Sequence, residues 1–297
     1  MRYIFEPGFF ASGPVHTALL VGTVIAITSA VVGVFTVTRG QSFAGHSLGD
    51  ISITGGSGAF FLGINQFWGY LAFGAGAAAF MEMVGVQRRR GRDVATGVVL
   101  GGALGLAALF LYLGTQSSST TGASFTILFG SIFVLTSSTV PTLIASALIA
   151  LVTVIVLARV LLLSSLSPDI AAARGVNVRL IGAVFLMALA ISVALSAAIT
   201  GAVLSTALLI GPAATALKLA RGPVRAMVTA AVIGVVATWL GIVLAYDSYY
   251  WWPAGKGWPV SFFIVALVVG AYLITYFMPS RSVQPQPAQE HTCSPAL

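Results

Sequence analysis

Ser42-Phe43-Ala44-Gly45-His46-Ser47-Leu48-Gly49-Asp50 sets a histidine and a carboxylate four residues apart in a chain that is 58% hydrophobic and only 7% charged. On a helix, positions i and i+4 stack on one face, so His46 and Asp50 converge on one point. Apolar sequence flanks the stretch on both sides. Such flanks make it part of a membrane span, where an ionisable group is costly and marks a functional site by default. Imidazole with carboxylate suits a divalent transition metal. A lone histidine near a helix start is more often a structural hydrogen-bonder. The carboxylate one turn on, at membrane depth, favours a ligand pair.

Soluble domains carry about 25% charged residues. At 7% over 297 residues, this chain reads as an all-α polytopic membrane protein, with membrane lipid as its surroundings. The net charge of +7 is then a topology signal and not a nucleic-acid footprint. No Gly-x-x-x-x-Gly-Lys-Ser/Thr loop is present, so ATP chemistry is not expected from this chain. The single cysteine, Cys293, falls in the polar segment 279–297. That excludes an internal disulfide and a cysteine metal cluster.

Spans need about 20 apolar residues. Nine are expected, near residues 14–37, 43–64, 66–86, 93–114, 141–163, 180–199, 203–219, 226–246 and 259–278. Gly55-Gly56-Ser57-Gly58 is poor helix material, so a bend or break is expected in the second span. Gly211-Pro212 predicts another in the seventh. Residues 125–135 make only half a span, and residues 1–13 make a short interfacial lead with no cleavable signal pattern. The layout gives a permease domain over 1–278 and a disordered cytoplasmic tail over 279–297. Alternation places Arg39, Arg88, Arg89, Arg90, Arg92, Arg174, Arg179, Lys218, Arg221, Arg225 and Arg281 on one side. Arg2 and Lys256 fall on the other. The positive-inside rule then sets the N-terminus outside and the C-terminus in the cytoplasm. Glu82 reads as an ion-pair partner of Arg88 or Arg89.

Between the fifth and sixth spans lies a short insert, residues 167–179. Ser167 suits an N-cap, Pro168 the first helical position, and Asp169 the positive helix end. Ala172 and Arg174 continue the turn, and Gly175 fits a left-handed C-terminal position. This is either an ordinary loop helix or a knob that docks a cytoplasmic partner.

Four segments, in order, resemble the membrane permeases of metal-importing ABC transporters, the ABC-3 family of zinc and manganese uptake systems. They are residues 39–50, Leu128-Phe129-Gly130-Ser131, residues 169–177, and Ile210-Gly211-Pro212-Ala213-Ala214-Thr215-Ala216. In the family the acid precedes the histidine by one turn; here His46 precedes Asp50. The resemblance implies a permease subunit in a bacterial cell membrane, non-catalytic, and homodimeric or paired with another permease. It implies that residues 167–175 couple to a cytoplasmic ATPase subunit and that an extracytoplasmic binding protein delivers the ion. It implies Zn²⁺ or Mn²⁺ as cargo, with Fe²⁺ also open, and no tightly bound cofactor.

Two other classes compete. A self-sufficient secondary metal or cation transporter usually has several intramembrane ionisable groups and internal repeats. Few such groups and no clear repeat are visible here. An intramembrane enzyme using His46, Asp50 and Ser57 lacks any oxyanion motif.

Overall fold

Apolar runs separated by glycine, proline or polar turns give eleven α-helices among the described residues. The computed structural model describes residues 9, 12–83, 92–117, 122–130, 132–134, 138–201, 204–251 and 257–277. The helices are α1 (Gly13–Thr38), α2 (Ser42–Phe61), α3 (Gln66–Met83), α4 (Arg92–Ser117), α5 (Gly122–Phe129), α6 (Val140–Leu166), α7 (Pro168–Ala173), α8 (Val178–Thr200), α9 (Ser205–Leu219), α10 (Pro223–Ser248) and α11 (Val260–Phe277), with a 3₁₀ turn at Ile132–Val134. No strand occurs among these residues. Most of the expected lead (1–8, 10 and 11), Arg88 to Arg90, and the tail from 279 with His291 and Cys293 lie outside them.

Each expected span coincides with one helix. Six are long and apolar enough to cross a membrane: α1, α4, α6, α8, α10 and α11. Helices α2 and α3 have 20 and 18 residues, but glycine, serine, His46 and Asp50 dilute the hydropathy of α2. Helix α9 has 15 residues and is a shorter apolar helix.

Lipid tails are as apolar as leucine, so helices in a membrane associate through close packing and interhelical hydrogen bonds. Helix α1 shows both devices. It packs against α6, α8, α9 and α10 and buries Gly22, Ala26, Ser29, Ala30 and Gly33. A Cβ on Gly33 would run into the Leu209 carbonyl oxygen of α9. Ser29 and Ser196 share a hydrogen bond of 2.7 Å, and Ser192 donates to Ser29 at 3.4 Å. These fully buried hydroxyls join α1 to α8.

The breaks are not where residue propensity puts them. Helix α2 runs unbroken through Gly55-Gly56-Ser57-Gly58. A Cβ on Gly55 would strike the Gly69 carbonyl oxygen of α3, and one on Gly56 would strike the Tyr70 ring. These glycines bring two helix backbones together; they do not loosen one. Helix α9 likewise continues through Pro212, and Gly211 beside it makes room for Val268 of α11. Pro in a membrane helix is tolerated where neighbouring groups re-satisfy the backbone. The observed interruptions lie between α5 and the 3₁₀ turn and between α8 and α9. Gly130 (φ 73°) and Gly201 (φ 75°) stand there, and a Cβ on Gly201 would strike the backbone of residues 128–130. Gly201 is buried, as lipid requires of irregular backbone.

Gly55→Ala is expected to lower stability by about 1–3 kcal/mol through overpacking. Gly76→Ala, where a Cβ meets nothing within 4 Å, should be neutral or stabilising. Thermal unfolding in detergent checks both; equal melting of Gly55→Ala and the parent would contradict the close α2–α3 crossing.

Candidate functional site

Helix α2 begins directly after the turn Arg39-Gly40-Gln41 that closes α1. Its Gly45 and Gly49 face α8 and α9: a Cβ on Gly45 would stand 3.2 Å from the Leu209 side chain, and one on Gly49 would stand 3.2 Å from Ser205 Oγ and 3.4 Å from Val193. His46 and Asp50 each follow one of these glycines, so they are turned about 100° from the packed face. His46 Nε2 lies 3.5 Å from Asp50 Oδ2. The His46 side chain is 47% exposed and that of Asp50 14%. The expected pair is thus together on one face. No group of three or more His, Cys, Asp or Glu able to hold a metal forms among the described residues. The pair brings together an imidazole nitrogen and a carboxylate oxygen.

The 167–179 insert is a helix as expected. Ser167 is both the C-cap of α6 and the N-cap of α7, with no side-chain capping bond. Asp169 lies in the first turn. Val176 N donates to Ala171 O at 3.1 Å and Gly175 N to Ala172 O at 2.9 Å. With Gly175 at φ 77°, these bonds make a Schellman end. Ala171 is fully buried and Ile170 is 51% exposed. Asp169, Ala172 and Arg174 are also exposed. Over residues 169–173 the element is clamped at Ala171 and presents the other four side chains. Leu166 and Leu180 beside it are exposed as well.

Several features of this end were not read from sequence. Asn177 caps α8 by accepting from Leu180 N at 3.1 Å, in an Asn-x-x pattern that could have been recognised. Among the described residues, Glu82 pairs with Arg179 at 3.5 Å; the expected partners Arg88 and Arg89 lie outside them. Gly45-x-x-x-Gly49 is a small-x-x-x-small signal for close packing. Arg39 looked like a topology charge, yet it donates to Ser164 Oγ at 3.0 Å and to Leu161 O at 3.5 Å, and burial lowers its pKa from the usual guanidinium value.

Apolar helices long enough to cross a membrane, carrying a His–Asp pair and a capped surface turn, mark a multi-pass membrane protein. The ABC 3 transport family matches residues 14–278, and the chain belongs to it. It is 30% identical over 244 residues to the manganese transport system membrane protein MntC of Listeria innocua, covering 82% of this chain and 85% of that protein. It is 26% identical over 233 residues to the high-affinity zinc uptake system membrane protein ZnuB of Haemophilus influenzae, covering 78% and 88%. Its fold is similar to a chain of PsaBC from Streptococcus pneumoniae in complex with Fab, with TM-score 0.77, 26% identity, and 91% and 94% of the two chains covered.

Gly175→Val forces a β-branched residue into the left-handed region, at about 1–2 kcal/mol or more. Amide hydrogen exchange over residues 168–176 should rise in Gly175→Val and stay near the parent in Gly175→Asn. Equal protection in all three proteins would contradict the glycine-dependent helix end.

Proposed function

We propose that the chain is the membrane permease subunit of an ATP-driven importer of Mn²⁺ or Zn²⁺ in a bacterial cell membrane, and that His46 and Asp50 line the ion's path. The observation that carries this reading is the His46–Asp50 contact on the half-open face of α2, in a chain of the ABC 3 transport family. Manganese and zinc appear in the names of its relatives. Two ligands from one chain leave a metal ion's coordination incomplete, so a second copy across the path would supply two more. Neutral imidazole with carboxylate accommodates both metals, and more imidazole tilts the choice toward zinc. The ion is cargo: the site must bind it weakly enough to let it go.

The permease does no chemistry in this account. A cytoplasmic ATPase would dock on α7 through Asp169, Ile170, Ala172 and Arg174, with Ser167, Pro168 and Gly175 fixing its two ends. An extracytoplasmic binding protein would deliver the ion at the opposite face. Orientation follows from charge: Arg39, Arg174 and Arg179 gather at the α7 end, which supports that end as cytoplasmic. With nine spans the N-terminus is outside and the 279–297 tail inside. Membership in an ABC family favours this over a self-sufficient secondary transporter.

The test is ATP-dependent uptake of labelled manganese and zinc at matched membrane levels, with the ATPase and binding protein present. His46→Ala is expected to cut uptake at least tenfold, about 1.4 kcal/mol, without loss of folded protein. Asp50→Asn should weaken passage while easing burial. Full uptake by the His46→Ala, Asp50→Ala double variant would show that the pair is structural.

A further inference from the structure

The turn between α1 and α2 holds one arginine unlike its neighbours. The other arginines with described side chains, Arg159, Arg174, Arg179, Arg221 and Arg225, are exposed, whereas Arg39 is partly buried. A basic residue that served only as a topology charge would extend its head into water. Arg39 instead turns inward. Its Nη1 donates to Ser164 Oγ at 3.0 Å and to Leu161 O at 3.5 Å, and Ser164 Oγ itself donates to Leu161 O at 3.0 Å. The guanidinium therefore sits at the negative end of α6, where a cation is favoured. Its Cζ also stands 5.3 Å from the centre of the Phe185 ring on α8, within cation–π range.

The position in the chain gives these contacts their meaning. Helix α6 passes into α7 through the single residue Ser167, so the end that Arg39 grips is continuous with the surface helix. On the other side, Arg39-Gly40-Gln41 passes directly into α2, which carries His46 and Asp50. Among the described residues α1 and α2 themselves touch little, so the turn joins α2 to α1 and α6 beside the packing of Gly45 and Gly49 on α8 and α9. The turn also holds two buried atoms without hydrogen-bond partners, Arg39 Nε and Gln41 Oε1. An unpaired buried donor and acceptor each carry a desolvation cost. Two of them in one turn leave it a second arrangement to gain from, as a switching element needs.

We infer that Arg39 is a positioning residue that transmits displacement of α7, through the end of α6, to the helix bearing His46 and Asp50. This rests on the reading of α7 as the ATPase contact. Arg39 touches neither ion nor nucleotide; it acts through α2. A lysine reproduces the grip only in part, because its compact ammonium lacks the planar guanidinium that lies over the Phe185 ring while Nη1 donates to α6.

The experiment uses the full transporter, permease with its ATPase and binding protein, in proteoliposomes, and reads manganese ions moved per ATP hydrolysed beside ATPase co-purification. Arg39→Gln should lower ions per ATP at least about fivefold, the low end of allosteric coupling, with ATPase binding unchanged. Arg39→Lys should recover only part of the ratio. Ser164→Ala, which removes one acceptor and leaves the arginine, should shift the ratio in the same direction and decides the matter if Arg39→Gln does not fold. Parental ratios in Arg39→Gln and Ser164→Ala would overturn the inference. So would loss of ATPase binding in step with transport, which would mean that Arg39 only holds α7 in shape. Ala172→Glu tests the underlying reading on its own: retained ATPase binding there removes α7 as the dock, whatever the Arg39 variants do.

Discussion

Contact between helix backbones at glycine is the constraint on which this bundle depends. Gly33 lies on the carbonyl of Leu209, Gly55 on that of Gly69, and each would clash if it carried a Cβ. In water such glycines would weaken a helix by about 1 kcal/mol each relative to alanine. In lipid, where hydrophobic association between helices is lost, the dispersion gained by close approach outweighs that propensity. The same seam places the candidate site. Gly45 and Gly49 let α2 lie against α8 and α9, and that leaves His46 and Asp50 on the next face round. The His46–Asp50 pair is therefore positioned by its glycine neighbours.

Polar groups inside the bundle divide into those that hold helices together and those left for function. Ser29, Ser192 and Ser196 satisfy one another across α1 and α8, Thr54 donates to the Ala103 carbonyl of α4, and Tyr70 donates to the Ile127 carbonyl near the end of α5. Each ties two elements and offers nothing to a passing ion. His46 is different, since nearly half its side chain is open and its ion-pair partner lies on its own helix. At the α7 end, the Schellman bonds at Gly175 close the surface helix, and Arg39 in the turn before α2 bonds to the end of α6 that leads into it.

Much of the element layout was legible because apolar runs and their punctuation are local signals. Every expected span coincides with a helix, and the 167–179 insert carries a short helix that closes at Gly175 as expected, though Ser167 makes no side-chain capping bond. The misplaced breaks have one cause. Glycine and proline were weighed by their behaviour in an isolated helix, whereas Gly55 and Gly211 are fixed by what lies opposite them, Gly69 and Val268. Arg179 as a partner of Glu82 was not legible for the same reason: it is distant in sequence and adjacent in space. His46 and Asp50 could be paired from spacing alone because i and i+4 on a helix need no tertiary knowledge. Arg39 could not be assigned, since its partners on α6 and α8 are set only by the fold.

The central claim is that imidazole from His46 and carboxylate from Asp50 hold the transported ion. Zinc X-ray absorption on the purified, untagged permease carrying His291→Ala tests it most directly. The account predicts a first shell mixing nitrogen and oxygen at about 2.0–2.2 Å, with the nitrogen contribution reduced or lost when His46→Ala is added. An identical nitrogen shell with and without His46 would contradict it.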